Sequence, residues 1–457
     1  MEERQPTRRR NSQRPSDNGA MIKILAGLFA VMVIVMVLSL IPAKDNGGPS
    51  LDSTGSTEGT TGNTNDTTPP SEILATASLG FTGDILPHGP VIQAAKAASG
   101  STSQYDFRSM FTYIAPYYQR FDLMIANLET TLGGTAAGEY MGWPKFNCPD
   151  DIVDALLEAG VDIMLTGNNH SYDTGYSGML RTQQVMAEKG MDHLGTVQNA
   201  GDKIYTVKEI NGIKIGIVSY TYNTGVDANG KLQLNGQHDL SAEASKRIST
   251  FNYSTLDSFY AELKQVLADM EADGAEATVV CIHWGEEEEL PPNDRQKQIA
   301  QALCNMGVDV IAGGHPHVIQ PLEKLTAESG HTTYCLYSTG NALSNQRRDT
   351  LTSENAKYTE DGIIFGVEFQ KLSDGTVKVG KVSLMPTWVN KETRGDHNIY
   401  AIIPLDTAVE SWNNYDVTDT ARLYESYNRT LSLVGQGLNA ILKEMGLEEV
   451  PLTVGIN

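Results

Sequence analysis

Short apolar runs alternate with amphipathic segments along most of this chain, and this alternation constrains the fold more than any other feature. Runs such as SLGFTGD (78–84), FDLMIANLE (121–129), VDIMLTGNNH (161–170) and ATVVCIH (277–283) are typical of buried strands. Between them, segments such as DDIVDALLEAG and DRQKQIAQALCNMG place apolar residues at helical spacing and end at Gly. The repeated order of strand and helix predicts an α/β domain whose helices cover the sheet.

Two hairpin signals interrupt the repeated strand–helix order. Asn211-Gly212 and Asp374-Gly375 each lie between runs of alternating apolar and polar residues, as in a tight antiparallel turn. Antiparallel strands beside strand–helix units favour a sandwich of two sheets over a purely parallel sheet. We place this domain at 72–403 and expect a helical C-terminal extension at 404–457.

The N-terminal region predicts a membrane anchor. Residues 24–43 carry no charge and are long enough, at 1.5 Å per residue, to cross a hydrocarbon core of about 30 Å. The basic tail 1–23 precedes them and would stay in the cytoplasm, so a single-pass protein with an extracytoplasmic main domain is expected. The alternative is a cleaved signal peptide, which normally has a shorter apolar region. Residues 44–71 are rich in Gly, Ser, Thr, Asn and Asp and predict a disordered linker.

Net charge and cysteine spacing exclude two kinds of site. The chain carries −22 overall, although its first 23 residues hold six basic and three acidic side chains. So acidic a chain repels phosphate backbones, and we expect no nucleic-acid partner. The cysteines form no C-x-x-C pair, so a thiolate metal site is not expected, and buried thiols are favoured. They are Cys148, Cys281, Cys304 and Cys335.

Five strand-like runs end in polar residues that can bind metal ions. One such ending is ordinary turn chemistry, because Asp, Asn and Gly terminate strands routinely. Five of them indicate a shared site, since the carboxyl ends of strands in α/β sheets meet at one crevice. The five clusters are Gly83-Asp84, Asn127-Leu128-Glu129, Asn168-Asn169-His170, His283-Trp284-Gly285 and His315-Pro316-His317.

The donor types in these clusters indicate which metal they would hold. Carboxylate, amide oxygen and imidazole together suit Mn, Fe or Zn more than Ca or Mg, which prefer oxygen alone. There are enough donors for two divalent ions, and such a pair binds phosphoryl groups and lowers the pKa of water.

Six motifs are similar in order and spacing to those of the CapA/PgsA capsule-synthesis family, bacterial proteins implicated in poly-γ-glutamate capsule assembly and export. They are GDILPHG, NLETTL, GNNHSYDTG, IHWGEE, GGHPHVIQP and YSTGN. The resemblance covers about residues 75–390. It implies a branch of the calcineurin-like metallophosphoesterases, a four-layer α-β-β-α sandwich and a dinuclear centre, here behind an N-terminal transmembrane helix.

The resemblance also implies a division of the ligands between two ions. Asp84 would bind the first ion, Glu129 would bridge both, and His317 would complete the first site. The ligands of the second ion would be Asn169, His283 and His315.

The same resemblance implies roles for residues beside the ions. His170 would protonate the leaving group or stabilise the transition state, and Asp173 would orient its ring. Glu287 and Asn341 match family positions beside the pocket and are possible additional site residues.

The first motif departs from the wider superfamily, which has Asp-x-His there, whereas Ile85 and Leu86 follow Asp84. Two alternatives stay open for His88: it replaces the missing ligand, or it is a loop histidine that contacts only water. Glu129 stands where the superfamily has a bridging Asp. Trp284 is either a substrate platform or a packing residue. No motif surrounds the remaining histidines, which we interpret as ordinary surface or core residues: His193, His238, His331 and His397.

Three functions fit these features. The first is an anchored protein of capsule-polymer synthesis or export that works with other synthesis subunits on an anionic polymer or a phosphorylated precursor. The second is a metal-dependent phosphohydrolase or phosphodiesterase of the cell surface. The third is a non-catalytic scaffold of an envelope polymer machine.

Overall fold

The computed structural model describes residues 71–236 and 238–454. The predicted cytoplasmic tail, the predicted transmembrane helix and all of the predicted linker except Ser71 lie outside these residues. Within them, no helix is both long and apolar enough to cross a membrane.

Two large sheets form the centre of the fold. Strands are numbered along the chain. The first sheet contains β1 (Ile73–Ile85), β2 (Leu123–Leu128), β3 (Ile163–Leu165), β4 (Asp192–Leu194), β14 (Asn341–Leu343), β15 (Asp361–Leu372), β16 (Val377–Arg394) and β17 (His397–Pro404). The second sheet contains β5 (Tyr205–Ile210), β6 (Ile213–Tyr222), β9 (Thr250–Phe251), β10 (Ala277–His283), β11 (Val310–Gly314), β12 (Ile319–Thr326) and β13 (Thr332–Thr339). A separate hairpin pairs β7 (Gln233–Leu234) with β8 (His238–Asp239).

The strand orders mix parallel and antiparallel neighbours. The first sheet runs β17-β16-β15-β1-β2-β3-β4, with β14 also paired to β1, and the second runs β12-β13-β11-β10-β6-β5, with β9 paired to β6. The helices are α1 (Gly89–Ser99), α2 (Arg108–Phe111), α3 (Ala115–Tyr118), α4 (Asp151–Ala159), α5 (Gly175–Lys189), α6 (Leu256–Ala272), α7 (Asp294–Asn305) and α8 (Ala421–Glu444). Short 3₁₀ helices lie at Thr135–Ala137, Ala356–Glu360 and Val409–Asn414. The predicted mixed α/β fold is confirmed.

Successive side chains of the buried strands point alternately into the core between the sheets and into the core beneath the helices. In β2, Leu123 and Ile125 pack between the two sheets, whereas Met124 and Ala126 pack against helices that include α1 and α4. The strand β10 behaves in the same way: Val279 and Cys281 lie between the sheets, and Val280 and Ile282 contact α6 and α7. Because successive side chains of a strand point to opposite faces, strands that are apolar throughout require cover on both sides.

Both predicted hairpin turns are confirmed. Asn211 and Gly212 join β5 to β6 and have φ of 51° and 82°, the positive values that a type I′ turn needs at both central residues. Gly375, with φ of 88°, lies in the turn between β15 and β16.

The strand predicted at 161–170 is shorter than expected. Only Ile163–Leu165 form β3. The Thr166 N–H still donates to the Leu194 carbonyl of β4 at 2.7 Å, and the residues after it bond to one another within a loop. The hydroxyl of Ser171 lies 2.5 Å from the carbonyl oxygens of both Thr166 and Asn168, and it accepts the backbone N–H of Asn168 at 3.0 Å. Side-chain bonds of this kind compete with the strand and close a compact loop.

The four cysteines are buried free thiols, as expected. Cys148 packs on the outer face of the first sheet, Cys281 lies between the two sheets, and Cys335 packs on the outer face of the second sheet.

One buried ion pair attaches α8 to the sandwich. The Arg429 guanidinium donates to both carboxylate oxygens of Asp361, at 2.5 and 2.6 Å, and the Ser426 hydroxyl donates to the same carboxylate at 2.7 Å. The Asp361 side chain is 2% exposed and that of Arg429 is 9% exposed. Apolar residues of the same helix, among them Val434 and Leu438, extend the core between the sheets.

We predict that Arg429→Leu lowers the free energy of unfolding by about 3–5 kcal/mol, because it leaves the Asp361 carboxylate buried without its cation. Urea denaturation followed by circular dichroism measures this change. The double variant Arg429→Leu/Asp361→Asn removes the uncompensated charge and should recover part of the loss. An unchanged midpoint for the single variant would show that this ion pair does not stabilise the fold.

Candidate metal centre

The predicted site residues follow strands whose carboxyl ends meet at one edge of the sandwich. Asp84 lies near the end of β1, and Glu129 directly follows the parallel strand β2. In the second sheet, His283 ends β10 and pairs with Gly314 at the end of the parallel strand β11. The cluster His315-Pro316-His317 comes next in the chain. Parallel pairing therefore brings donors from distant segments to the same place.

The donors form two overlapping groups. One ligand atom from each of Glu129, His315 and His317 lies within 4.8 Å of the others, and the same holds for Asp84, Glu129 and His283. Glu129 belongs to both groups, as a bridging carboxylate would. All five residues are buried, and none is more than 3% exposed. These groups combine the ligands differently from the predicted division, which placed His317 with Asp84. His317 Nδ1 also lies 3.1 Å from Asp84 Oδ2, so the division between two ions stays a prediction.

Two buried polar atoms of the donor groups have no hydrogen-bond partner among the described residues. They are Glu129 Oε1 and His315 Nδ1, and both are shielded from solvent. Asn169 adds an amide oxygen that could bind a metal ion, because its Oδ1 lies 2.9 Å from His283 Nε2. A buried carboxylate oxygen without a partner is costly, and a cation would remove that cost. The donor set of oxygen and imidazole nitrogen therefore fits a divalent metal ion.

Two asparagines hold the carboxylates in place. Asn127 Nδ2 donates to Asp84 Oδ1 at 2.8 Å and lies 3.4 Å from Glu129 Oε2. Asn168 Nδ2 donates in turn to Asn127 Oδ1 at 3.0 Å and to the Leu128 carbonyl at 2.8 Å. Such supporting bonds fix the direction of ligand oxygens and so raise metal affinity.

The backbone at the His-Pro-His cluster is strained. His315 and His317 have φ of 96° and 57°, values that residues other than Gly adopt rarely. A side chain at Gly314 would come within 3.1 Å of Asp84 Oδ1, so this position leaves no room beside the carboxylate. Strain that is retained at a cluster of donors is typical of a functional site.

Opposite charges inside the site shift the pKa values of Asp84 and His317 in opposite directions. Burial alone would lower the pKa of His317, but the negative charges of Glu129 and Asp84 outweigh it and raise the pKa to about 10. Burial alone would raise the pKa of Asp84, yet its hydrogen bond with His317 and the positive charge of that ring lower it. Burial and the adjacent His283 and His317 lower the pKa of His315 well below its usual value. His317 therefore carries the positive charge that an ion would replace.

We predict that metal affinity rises with pH, because His317 must lose its proton before it can bind an ion. Between about pH 6 and pH 8, one displaced proton makes the affinity for Mn²⁺ or Zn²⁺ increase roughly tenfold per pH unit. Calorimetric titrations in two buffers of different ionisation enthalpy count the protons released. An affinity that does not depend on pH would contradict this assignment of charge.

A second pair of residues lies beside the donors. His170 Nδ1 is 2.7 Å from Asp173 Oδ2, and the side chains are 7% and 0% exposed. Burial would lower the pKa of His170, but the hydrogen bond and the negative charge of Asp173 outweigh it, so the pKa is raised. The ring of Phe146 packs edge-on against His170, with centroids 4.6 Å apart, and its backbone N–H donates to Asp173 Oδ2 at 2.6 Å.

Comparison with known proteins identifies the family. A family model described as bacterial capsule synthesis protein PGA_cap matches residues 78–346, more than half of the chain. The match spans all the donor clusters described above. This chain is a member of that capsule-synthesis family.

Individual relatives agree with the family assignment. The capsule-synthesis chain is 27% identical over 274 residues to the PGA biosynthesis protein CapA of Bacillus subtilis, covering 59% of this chain and 63% of the relative. It is 26% identical over 227 residues to the capsule biosynthesis protein CapA of Bacillus anthracis, covering 48% and 51%. The matched part therefore spans less than two thirds of either relative. A putative 5′-nucleotidase from Staphylococcus aureus aligns with a TM-score of 0.41 at 14% identity, covering 77% of this chain and 59% of the other.

The structure places the other predicted site residues near the donors but outside both groups. His88 Nδ1 lies 3.0 Å from the Leu86 carbonyl, and its ring packs edge-on against Phe146, so the alternative that it contacts only water is wrong. Its role as a ligand stays a prediction. Asn341 pairs with Asp84 across β14 and β1, and its amide donates to Gln346 and Thr359. Glu287 is exposed, and its charge contributes to the raised pKa of His317.

Trp284 is a packing residue of this capsule-synthesis protein. It is fully buried, stacks on Tyr337 with centroids 5.8 Å apart, and donates its indole N–H to the Tyr337 carbonyl at 2.9 Å. The packing alternative is therefore correct, and the platform alternative is wrong.

Three residues that support the site were assigned no individual role from the sequence, although two of them belong to the strand-end clusters. Asn127 and Asn168 lie inside motifs that were singled out, so their proximity to the ligands was a usable signal. His238 lies in no motif and was interpreted as ordinary, yet its Nε2 is 3.1 Å from Asp173 Oδ1. The sequence around His238 contains no signal for this contact.

Proposed function

We propose that this chain is a membrane-anchored protein of capsule-polymer synthesis or export, with a dinuclear metallophosphoesterase-type centre that acts on a phosphorylated precursor or a phosphoester-linked partner of the polymer. The observation that carries the proposal is the buried pair of overlapping donor groups that share Glu129. Residues 24–43 would form the anchor, and the main domain would lie outside the cytoplasm.

The donor set supports a phosphoesterase-type reaction more than a structural metal site. Asp84, Glu129, Asn169, His283, His315 and His317 would hold the ions. Bound divalent ions would neutralise the charge of a phosphoryl group and lower the pKa of water. A structural zinc site, by contrast, usually contains thiolates in a closed tetrahedral set.

His170 supplies the proton transfer that a phosphoester reaction needs. In hydrolysis, the oxygen of water bonds to phosphorus, the ester P–O bond breaks, and the leaving oxygen takes a proton from His170 Nε2. The proton that the water releases restores the imidazolium. The Asp173 carboxylate lies 2.7 Å from His170 Nδ1, so His170 Nε2, on the opposite side of the ring, points away from Asp173.

Family membership supports the capsule context of the proposal. The chain would work with polymer-synthesis subunits in the membrane, because its relatives carry capsule and PGA biosynthesis names. With a net charge of −22, its surface does not favour tight binding of an anionic polymer, which favours a small phosphorylated substrate.

Turnover of a generic phosphodiester tests the proposed reaction. The purified full chain, stripped with a chelator and reloaded with Mn²⁺, should hydrolyse bis(4-nitrophenyl) phosphate, and the stripped chain should not. The variant Glu289→Gln serves as a control, because this glutamate is exposed and belongs to neither donor group. If the reloaded chain binds the metal but releases no nitrophenol from phosphodiesters or phosphomonoesters, the proposed reaction is wrong.

A further inference from the structure

A small hairpin packs beside the His170–Asp173 pair. Its strands β7 and β8 are held by apolar side chains that contact the beginning of α5, the helix that follows Asp173 by two residues. Leu234 is fully buried and Leu240 is 3% exposed. They pack with Met179, Ala244 and Ile248, and Tyr172 and Tyr176 cover the cluster. The hairpin is therefore fixed to the same segment that carries Asp173.

Cross-strand pairing determines where His238 points. His238 pairs directly with Leu234, and Asp239 pairs with Gln233. Directly paired residues of an antiparallel hairpin share a face, so His238 points inward with Leu234, whereas Asp239 is exposed. The His238 side chain is only 9% exposed.

The carboxylate of Asp173 accepts hydrogen bonds from three separate segments. Its Oδ2 lies 2.7 Å from His170 Nδ1 and 2.6 Å from the Phe146 N–H. Its Oδ1 lies 3.1 Å from His238 Nε2, and no other donor in the described residues bonds to that oxygen. Because an ionised carboxylate only accepts, both imidazoles present N–H groups to it.

From this geometry we infer that His238 is a positioning residue for His170 and acts by fixing the carboxylate of Asp173. The inference rests on the proposed function and extends it to a residue outside the family motifs. The imidazole of His238 holds Oδ1, which leaves Oδ2 aligned with His170 Nδ1. The Nε2 atom of His170 then faces the leaving group at a defined angle.

Removal of His238 has a specific geometric consequence. The Asp173 side chain is fully buried, so Oδ1 would lose its hydrogen bond without access to bulk water. The carboxylate could then rotate toward new donors and release His170 from its orientation. Small misplacements of a catalytic group lower the rate of the chemical step more than they lower substrate binding.

Kinetics of three hairpin variants test this role in the full chain reloaded with Mn²⁺. With bis(4-nitrophenyl) phosphate, His238→Ala should lower kcat by about 10- to 100-fold while KM and metal content change less than about twofold. His238→Gln, whose amide can still donate to Oδ1, should recover most of the rate. Asp239→Ala, on the exposed face of the same hairpin, should match the wild type. An unchanged kcat for His238→Ala, or a loss that His238→Gln does not relieve, would overturn the inference.

A spectroscopic measurement keeps this test separate from the proposed reaction. In a chain labelled with ¹⁵N in its histidine rings, the Nδ1–H of His170 should give a slowly exchanging, strongly hydrogen-bonded proton signal. His238→Ala should weaken or remove this signal, and His238→Gln should retain it. If the wild-type chain has no phosphoesterase activity but the signal depends on residue 238 in this way, the proposed reaction fails and the positioning role stands. A His170 signal that is identical in all variants would refute the positioning role.

Discussion

Replacing His170 with alanine is expected to abolish nearly all phosphodiester turnover without removing the metal. General acid–base catalysis contributes about 10²- to 10⁴-fold, so kcat should fall by that amount. His170 belongs to neither donor group, and its Nδ1 is occupied by Asp173, so metal content should be unchanged. Steady-state kinetics and elemental analysis of the same preparation measure both quantities.

A matched histidine gives the control for this result. His397 has an exposed side chain at the far end of β17 from the site, and among the described residues its ring bonds only to Asp396, so His397→Ala should retain wild-type turnover. A poorer leaving group than 4-nitrophenolate should increase the effect of His170→Ala, because its departure depends more strongly on protonation. Retention of full activity by His170→Ala would exclude His170 as the proton donor.

The second large effect is expected for Glu129→Gln. This change keeps the size of the side chain but removes the charge that both donor groups share. Metal content should fall from about two ions per chain to one or fewer, and kcat should fall by about 100-fold or more, since the paired ions act together. Measurement by inductively coupled plasma mass spectrometry, after chelation and reloading, gives the stoichiometry.

The pKa of His317 provides an independent check on Glu129→Gln. Glu129 is the largest of the influences that raise this pKa toward about 10, so the variant should lower it in the metal-free chain. Histidine titration by NMR follows this change. Asn127→Ala keeps both carboxylates and should weaken metal binding by only about 10- to 100-fold, which distinguishes a supporting residue from a ligand. Unchanged stoichiometry in Glu129→Gln would refute the bridging role.

Much of the fold could be predicted because the sequence signals were local. The buried strands β2 and β10 are apolar over most of their length, and the turn at Asn211-Gly212 requires positive φ that these residues tolerate. The short strand β3 was overestimated, since the bonds of the Ser171 hydroxyl that end it depend on loop geometry and not on hydrophobic pattern.

The candidate site also contains residues that could be predicted from local sequence signals and one that could not. Donors at the carboxyl ends of strands or directly after them, such as Asp84, Glu129 and His283, could be predicted to converge because parallel strands end together. His238 could not be predicted, because it comes from a short hairpin whose contact with Asp173 depends on apolar packing against α5. Its neighbours in sequence carry no metal or catalytic motif, so only the three-dimensional arrangement reveals the contact.

Anomalous X-ray diffraction from crystals of the Mn²⁺-loaded chain, recorded near the manganese absorption edge, tests the central claim most directly. We expect two peaks about 3.5–4 Å apart, both within bonding distance of the Glu129 carboxylate. His283, His315 and His317 should each approach at least one of them. Anomalous density absent from this cluster of donors, or located elsewhere on the chain, would contradict the claim that these buried residues form a dinuclear metal centre.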